Sequence, residues 1–275
     1  MKGLLPKILV SCLLLVTLSS TAQIRNFTTQ QAPLPCLNKE FSVVLHTVVD
    51  TFGNTNIDDP ITITTAFDSL NAAFAPICAS FRVCEERTIE NFHFDVVDSL
   101  EQWEDLLVKH HQPNRINIFL VDNSQLDPIS PAQECGFATQ GGITILETGG
   151  ILIHKDCLEL PSNLVHLVGN YFDLLDTFEG NGEELVDGSN CASAGDLICD
   201  TPADNYVPPQ PLVPTWIDQL EPCRFVNGTT DINGTPYRPD VGNFMSYYGE
   251  CRCGFSYQQY LVMTERFLSS DPKMW

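Results

Sequence analysis

His166, Asn170 and Asp176 are the residues of this 275-residue chain whose types and spacing could do chemistry. They lie in the run Asn163-Leu-Val-His-Leu-Val-Gly-Asn-Tyr-Phe-Asp-Leu-Leu-Asp176. Residues four apart stack on one helix face, which makes His166 and Asn170 neighbours. An imidazole and a carboxylate are good ligands for zinc, whereas an amide oxygen is a poor one. Leu167, directly after the histidine, can take no proton, so a metal-bound water would have no base beside it. The plainer reading is a buried apolar helix whose two polar side chains satisfy each other.

The flanking segments favour the chemical reading. His166-Leu-Val-Gly-Asn-Tyr-Phe-Asp-Leu-Leu-Asp-Thr-Phe-Glu-Gly180 resembles the active-site helix of pappalysin-type metzincin metalloproteases, H-E-x-x-H-x-x-G-x-x-H followed by T-F-E-G. Gly195-Asp-Leu-Ile-Cys-Asp-Thr-Pro202 is similar to that family's G-D-x-x-x-D-T-P segment. Asn243-Phe-Met-Ser-Tyr247 with Cys251 looks like its Met-turn, and Phe255-Ser-Tyr-Gln-Gln-Tyr260 like the start of its last helix. The N-terminal half matches by texture more than by motif.

In the family's motif, two histidines on one helix face and a third after a glycine turn hold zinc with an open position for water. By resemblance the ligand positions fall on His166, Asn170 and Asp176, the general-base position on Leu167, and the turn glycine on Asp173. No catalytic residue is intact, and zinc is expected to be weak or absent. Asp173 tolerates unusual backbone angles better than most residues. The resemblance also implies a floor of Met245 and Tyr247, and calcium at Asp196 and Thr201, whose oxygen atoms suit a hard cation. His110, His111 and His154 have no spacing that makes them substitute ligands.

The elements that must position these residues alternate. Phe41–Val49 is rich in β-branched residues and reads as a strand, and Ile63–Phe74 as a helix. A strand begins at Phe81, and a helix over Ser99–His110 opens on a capping box of Ser99 and Gln102. Arg115–Val121 is a third strand. Residues 136–154 form short strands broken by glycine pairs, Asn163–Leu175 is a helix, and Ser256–Leu268 closes the chain. From about 177 to 242, Gly, Pro, Asn and Asp dominate, which implies an irregular, stapled segment.

Residues 1–22 read as a signal peptide, with Lys2 and Lys7 before an apolar core too short to span a bilayer. Removing Cys12 with it leaves ten cysteines: Cys36, Cys78, Cys84, Cys135, Cys157, Cys191, Cys199, Cys223, Cys251 and Cys253. In an exported chain they are expected in disulfides, with a pairing that spacing does not decide. The net charge of -21 argues against nucleic acid as a partner. No transmembrane segment is expected.

The fold expectation is therefore α/β (α+β): an irregular lead-in over 23–40, then a metzincin-like domain over 41–275. An N-terminal lobe of 41–175 would carry a twisted mixed sheet and the site helix. A lobe of 176–275 would be irregular and disulfide-rich. The leading functional expectation is a secreted or periplasmic pseudoprotease that binds a peptide or protein. The alternatives are a metalloendopeptidase with a substituted ligand set, or an exported structural protein that uses only the scaffold.

Overall fold

A computed structural model describes residues 32–57, 59–126, 135–145, 148–206, 216–218, 221 and 223–270. The expected signal peptide lies outside them. The architecture is mixed α/β, built on a twisted five-stranded sheet. Its strands are β1 (Lys39–Val48), β2 (Ala79–Ile89), β4 (Ile116–Val121), β6 (Gly136–Ala138) and β7 (Ile151–His154). The order is β2-β1-β4-β7-β6, parallel except for β6, which runs antiparallel along β7 at one edge. A small parallel pair, β3 (Val96–Val97) and β5 (Asn123–Ser124), was not anticipated. Two-residue strands carry too little pattern to be read.

Every residue of β4 and β7 is buried, as continuous apolar strands covered on both faces should be. On one face Ile116, Ile118, Leu120, Ile151 and Ile153 join α1 (Pro60–Phe74), α3 (Ser162–Tyr171) and α4 (Tyr257–Ser269). On the other, Phe119, Val121 and Leu152 meet Trp103, Leu106 and Leu107 of α2 (Leu100–His110). Helix α1 starts three residues earlier than its periodicity suggests. Asp59 caps it by accepting from the Ile61 amide at 2.9 Å, and Pro60 fits the first turn. At α2, Ser99 accepts from the Gln102 amide as expected, but the Gln102 carbonyl reaches back one residue further, to the Asp98 amide.

Helix α3 stops at Tyr171 rather than Leu175. Asp173 takes a left-handed φ of 77°, which ends the helix and turns the chain. Arg266 of α4 pairs with the Asp173 carboxylate and holds the turn. Among the described residues beyond 172, α4 is the only regular helix longer than one turn, and aromatic clustering replaces sheet packing. Tyr206, Trp216, Ile217, Val241 and Tyr248 form that second core.

Four disulfides staple the molecule: Cys36–Cys78, Cys135–Cys157, Cys191–Cys199 and Cys223–Cys251. This corrects the expectation that all ten cysteines pair, because Cys84 carries a thiol. Cys84 projects from the exposed part of the edge strand β2, where its thiol donates to the Val43 carbonyl and no other cysteine faces it. Alkylating the unfolded protein and mapping its peptides is expected to label Cys84 and none of the bonded eight. A label at any bonded position would refute this pairing. No helix among the described residues is long and apolar enough to cross a membrane.

Candidate functional site

Helix α3 and the turn after it bring His166, Asn170 and Asp176 to one point. Asp176 Oδ1 lies 3.3 Å from His166 Nε2 and 3.3 Å from Asn170 Nδ2. The helix supplies the first two residues from one face, and the left-handed Asp173 swings Asp176 back towards them. The separated positions 166, 170 and 176 thus form one cluster.

The hydrogen bonds define which atoms face inward. His166 Nδ1 lies 2.9 Å from the Phe244 carbonyl, which can only accept, so Nδ1 carries the proton. Burial and the Arg252 guanidinium push His166 down to about 3, which leaves the imidazole neutral and Nε2 bare. The contact with Asp176 is therefore a close approach of a neutral ring to a carboxylate, rather than an ion pair. Asn170 donates through Nδ2 to the Leu174 carbonyl at 3.1 Å as well as to Asp176, which fixes its amide. It presents N–H, not oxygen, to the cluster.

These contacts test the fit of zinc. Two ligands of tetrahedral zinc, with bonds of about 2.0–2.2 Å, lie roughly 3.3–3.5 Å apart, which suits His166 Nε2 and Asp176 Oδ1. A carbonyl-bound Nδ1–H is also the usual arrangement behind a ligating imidazole. Everything else disagrees. Asn170 offers a donor where a ligand is needed, and a guanidinium is within electrostatic reach of both remaining ligands. The set does not fit a zinc site.

Leu167 is turned the other way, into the seam between α3 and the edge strand. It is buried, and a side chain at Gly136 of β6 would meet its Cδ1 at 2.8 Å. The residue after His166 is thus a hydrocarbon, so no group at 167 can take a proton from a water.

Met245 lies under α3, fully buried, where a Cβ on Gly169 would strike its sulfur at 2.5 Å. Its carbonyl accepts from the Thr177 amide at 3.0 Å. Asn243 Oδ1 accepts from the Met245 amide and from Gln259 Nε2, and Gln259 in turn closes the α4 capping box with Ser256. The turn at 243–247 and the last helix are thereby keyed to each other. Tyr247 stacks on Tyr206 with centroids 4.2 Å apart, part of the aromatic core rather than a lone group by the cluster.

Arg252 is the residue that sequence reading missed. Its Nε donates to the Ser246 carbonyl at 2.7 Å, and one terminal nitrogen donates to Asn163 Oδ1 at 3.2 Å. Burial draws it down to about 10, while the charges of Asp176 and Tyr247 act in the opposite sense. The only advance signal was its place between two cysteines in an acidic chain.

A second cluster surrounds the 195–202 loop. Asp196 is buried; its Oδ1 accepts from the Ile198 amide and the Thr201 hydroxyl, both at 3.0 Å, while Oδ2 has no partner. Glu184 and Asp204 are buried nearby, and a side chain at Gly195 would strike Glu184 Oε2. Burial, and for Glu184 the charges of Asp196 and Asp204, push Glu184 and Asp196 up to about 7 and Asp204 up to about 6. Sequence reading named Asp196 and Thr201 but not Glu184 or Asp204, which arrive from neighbouring loops.

The other histidines stay apart from this chemistry. His154 Nε2 pairs with the Ser124 hydroxyl at 2.8 Å. Its donor atoms gather with those of Asp156 and Cys157, but the Cys157 sulfur is committed to Cys135. His110 and His111, at the end of α2, act electrostatically on His46.

No family model and no curated protein matches this sequence. Among solved structures, metalloproteinase-II from Bacteroides fragilis is similar over 57% of this chain and 48% of its own, with a TM-score of 0.37 and 13% identity. The aligned part thus spans about half of that protein's length. At that similarity it fixes neither family nor activity.

Proposed function

We propose that this protein is an exported, pappalysin-like pseudoprotease: a metzincin-like frame without its catalytic chemistry that retains peptide or protein binding. The observation that carries this reading is the convergence of His166, Asn170 and Asp176 above Met245, with a hydrocarbon at Leu167. The helix, turn and floor suit a zinc site; the donor set does not. Peptide binding is supported by β6, an antiparallel edge strand beside α3. An extended peptide can pair with such an edge through its main chain, which needs no metal. Four disulfides agree with an oxidising compartment.

Metal analysis of the purified protein is expected to find substoichiometric zinc, and a broad peptide library no chelator-sensitive cleavage. Stoichiometric zinc with cleavage abolished by chelator would support the substituted-ligand peptidase instead. Installing Leu167→Glu, Asn170→His and Asp176→His together with Arg252→Gln, which removes the part-buried cation, tests the frame. Zinc binding and measurable cleavage are expected, whereas a folded variant that binds zinc but stays inert would mean that the frame no longer presents a substrate.

The proposal extends to calcium at Asp196, whose carboxylate Thr201 orients. A buried carboxylate with one bare oxygen needs a proton or a cation, and oxygen donors on loops suit calcium. Calcium at about a hundred times its Kd is expected to add about 2.7 kcal/mol of stability, seen as a rise in Tm. Asp196→Asn should remove that rise, and a wild-type Tm indifferent to calcium and EGTA would refute the site.

A further inference from the structure

We propose that Arg252 is a built-in cation that takes the place of the metal at the His166–Asp176 cluster and excludes divalent ions from it. The inference rests on the pseudoprotease reading above and gives a cause for the weak zinc binding that reading expects.

The geometry is specific. Arg252 sits one residue after Cys251, which the Cys223 bond holds in place. Its guanidinium spans two elements: the Ser246 carbonyl on the turn that carries Met245, and Asn163 Oδ1 on the first turn of α3. Asn163 lies three residues before His166, on the face that also carries Asn170. The fork is thus pinned, by two hydrogen bonds that it donates, between the turn behind Met245 and the helical turn that precedes His166.

That charge answers a need within the cluster. With Nδ1 on the Phe244 carbonyl, His166 turns Nε2 towards Asp176 Oδ1, 3.3 Å away. A carboxylate in such a part-buried site calls for positive charge close by. A metal ion would supply it between them; Arg252 supplies it from the side, through a group that stays charged in proteins and cannot dissociate. Asn170 adds one N–H to the same oxygen. A divalent ion entering between His166 and Asp176 would face a fixed like charge in a part-buried, low-dielectric setting, where repulsion is strong.

The test is metal affinity, independent of any activity. Cobalt(II) absorption and zinc calorimetry are run on the mature protein and on Arg252→Met, Arg252→Gln, Arg252→Lys and His166→Ala. Arg252→Gln is neutral but can still donate to Ser246 or Asn163, which preserves part of the anchoring. Near-ultraviolet circular dichroism confirms the fold of each variant. We expect no zinc site in the wild type or Arg252→Lys that His166→Ala removes. Arg252→Met and Arg252→Gln should each gain affinity by about tenfold or more, and adding His166→Ala should abolish the gain. A folded neutral variant as metal-free as the wild type overturns the role of Arg252 and leaves the pseudoprotease reading intact. Stoichiometric wild-type zinc held through His166 overturns both.

Discussion

Replacing Lys155 with methionine should cost the fold about 3–5 kcal/mol, the usual penalty for leaving one member of a buried ion pair alone. Lys155 Nζ lies 2.6 Å from Asp95 Oδ1, with side-chain exposures of 4% and 9%. Lys155 follows β7 directly, and its amide donates to the Val121 carbonyl at the end of β4. Asp95 precedes β3; its Oδ1 also accepts from the Asp122 amide, and its carbonyl accepts from the amides of Asp122 and Asn123. The pair therefore bolts the small β3–β5 sheet to the ends of the central strands. With methionine at 155, Asp95 keeps one side-chain backbone bond and a buried, uncompensated charge. For a domain of this size the loss corresponds to roughly 10 °C in Tm. Pairing Lys155→Met with Asp95→Leu should recover a large part of it, since apolar replacements of both partners are often tolerated. A single-variant loss below about 1 kcal/mol by denaturant titration would show that water reaches the pair.

How far the sequence led is clearest at α3. Apolar periodicity located the helix, a signal local enough for one chain to carry. Only the resemblance set Asp173 at a turn glycine; the periodicity itself ran the helix through that position. The helix end at Tyr171 was overrun because Phe172, Leu174 and Leu175 prolong the apolar pattern, although the backbone has already turned. Arg252 was not legible at all. Its partner Asn163 is 89 residues away, and nothing in either neighbourhood announces the contact. Glu184 and Asp204 were invisible for the same reason, as was the failure of Cys84 to pair. Loops in the irregular half bring their polar atoms together through tertiary closure, which has no periodic signature. The chemistry-bearing residues on the helix could thus be named in advance, while the groups that set their electrostatics could not.

Tertiary closure also sets a pH dependence in this fold. The His46 contribution to stability should fall by about 3 kcal/mol as pH drops from about 6.5 to about 4. His46 lies in β1, fully buried and stacked on Phe119 with centroids 4.4 Å apart. Its Nε2 lies 3.0 Å from Asn117 Oδ1. The Asn117 amide is fixed by backbone contacts: Oδ1 accepts from the Gln112 amide, while Nδ2 donates to the Gln112 and Arg115 carbonyls. Nε2 must therefore be the donor, and Nδ1 is left buried with no partner. A second proton would enter a site with no acceptor, against the charges of Arg87, His110 and His111. Burial first, then those charges, hold His46 at about 4. Above about 6.5 both folded and unfolded histidine are neutral, and pH has no effect through this group. Below it the unfolded chain binds a proton that the folded chain refuses, so stability falls until the folded imidazole titrates near 4 and then levels. His46→Gln keeps a donor for Asn117 Oδ1 but does not titrate. Its stability difference between pH 7 and pH 4, read from urea midpoints, should be smaller than the wild type's by about 3 kcal/mol. Parallel pH profiles for the two proteins would place the acid sensitivity at the other deeply buried histidine, His166.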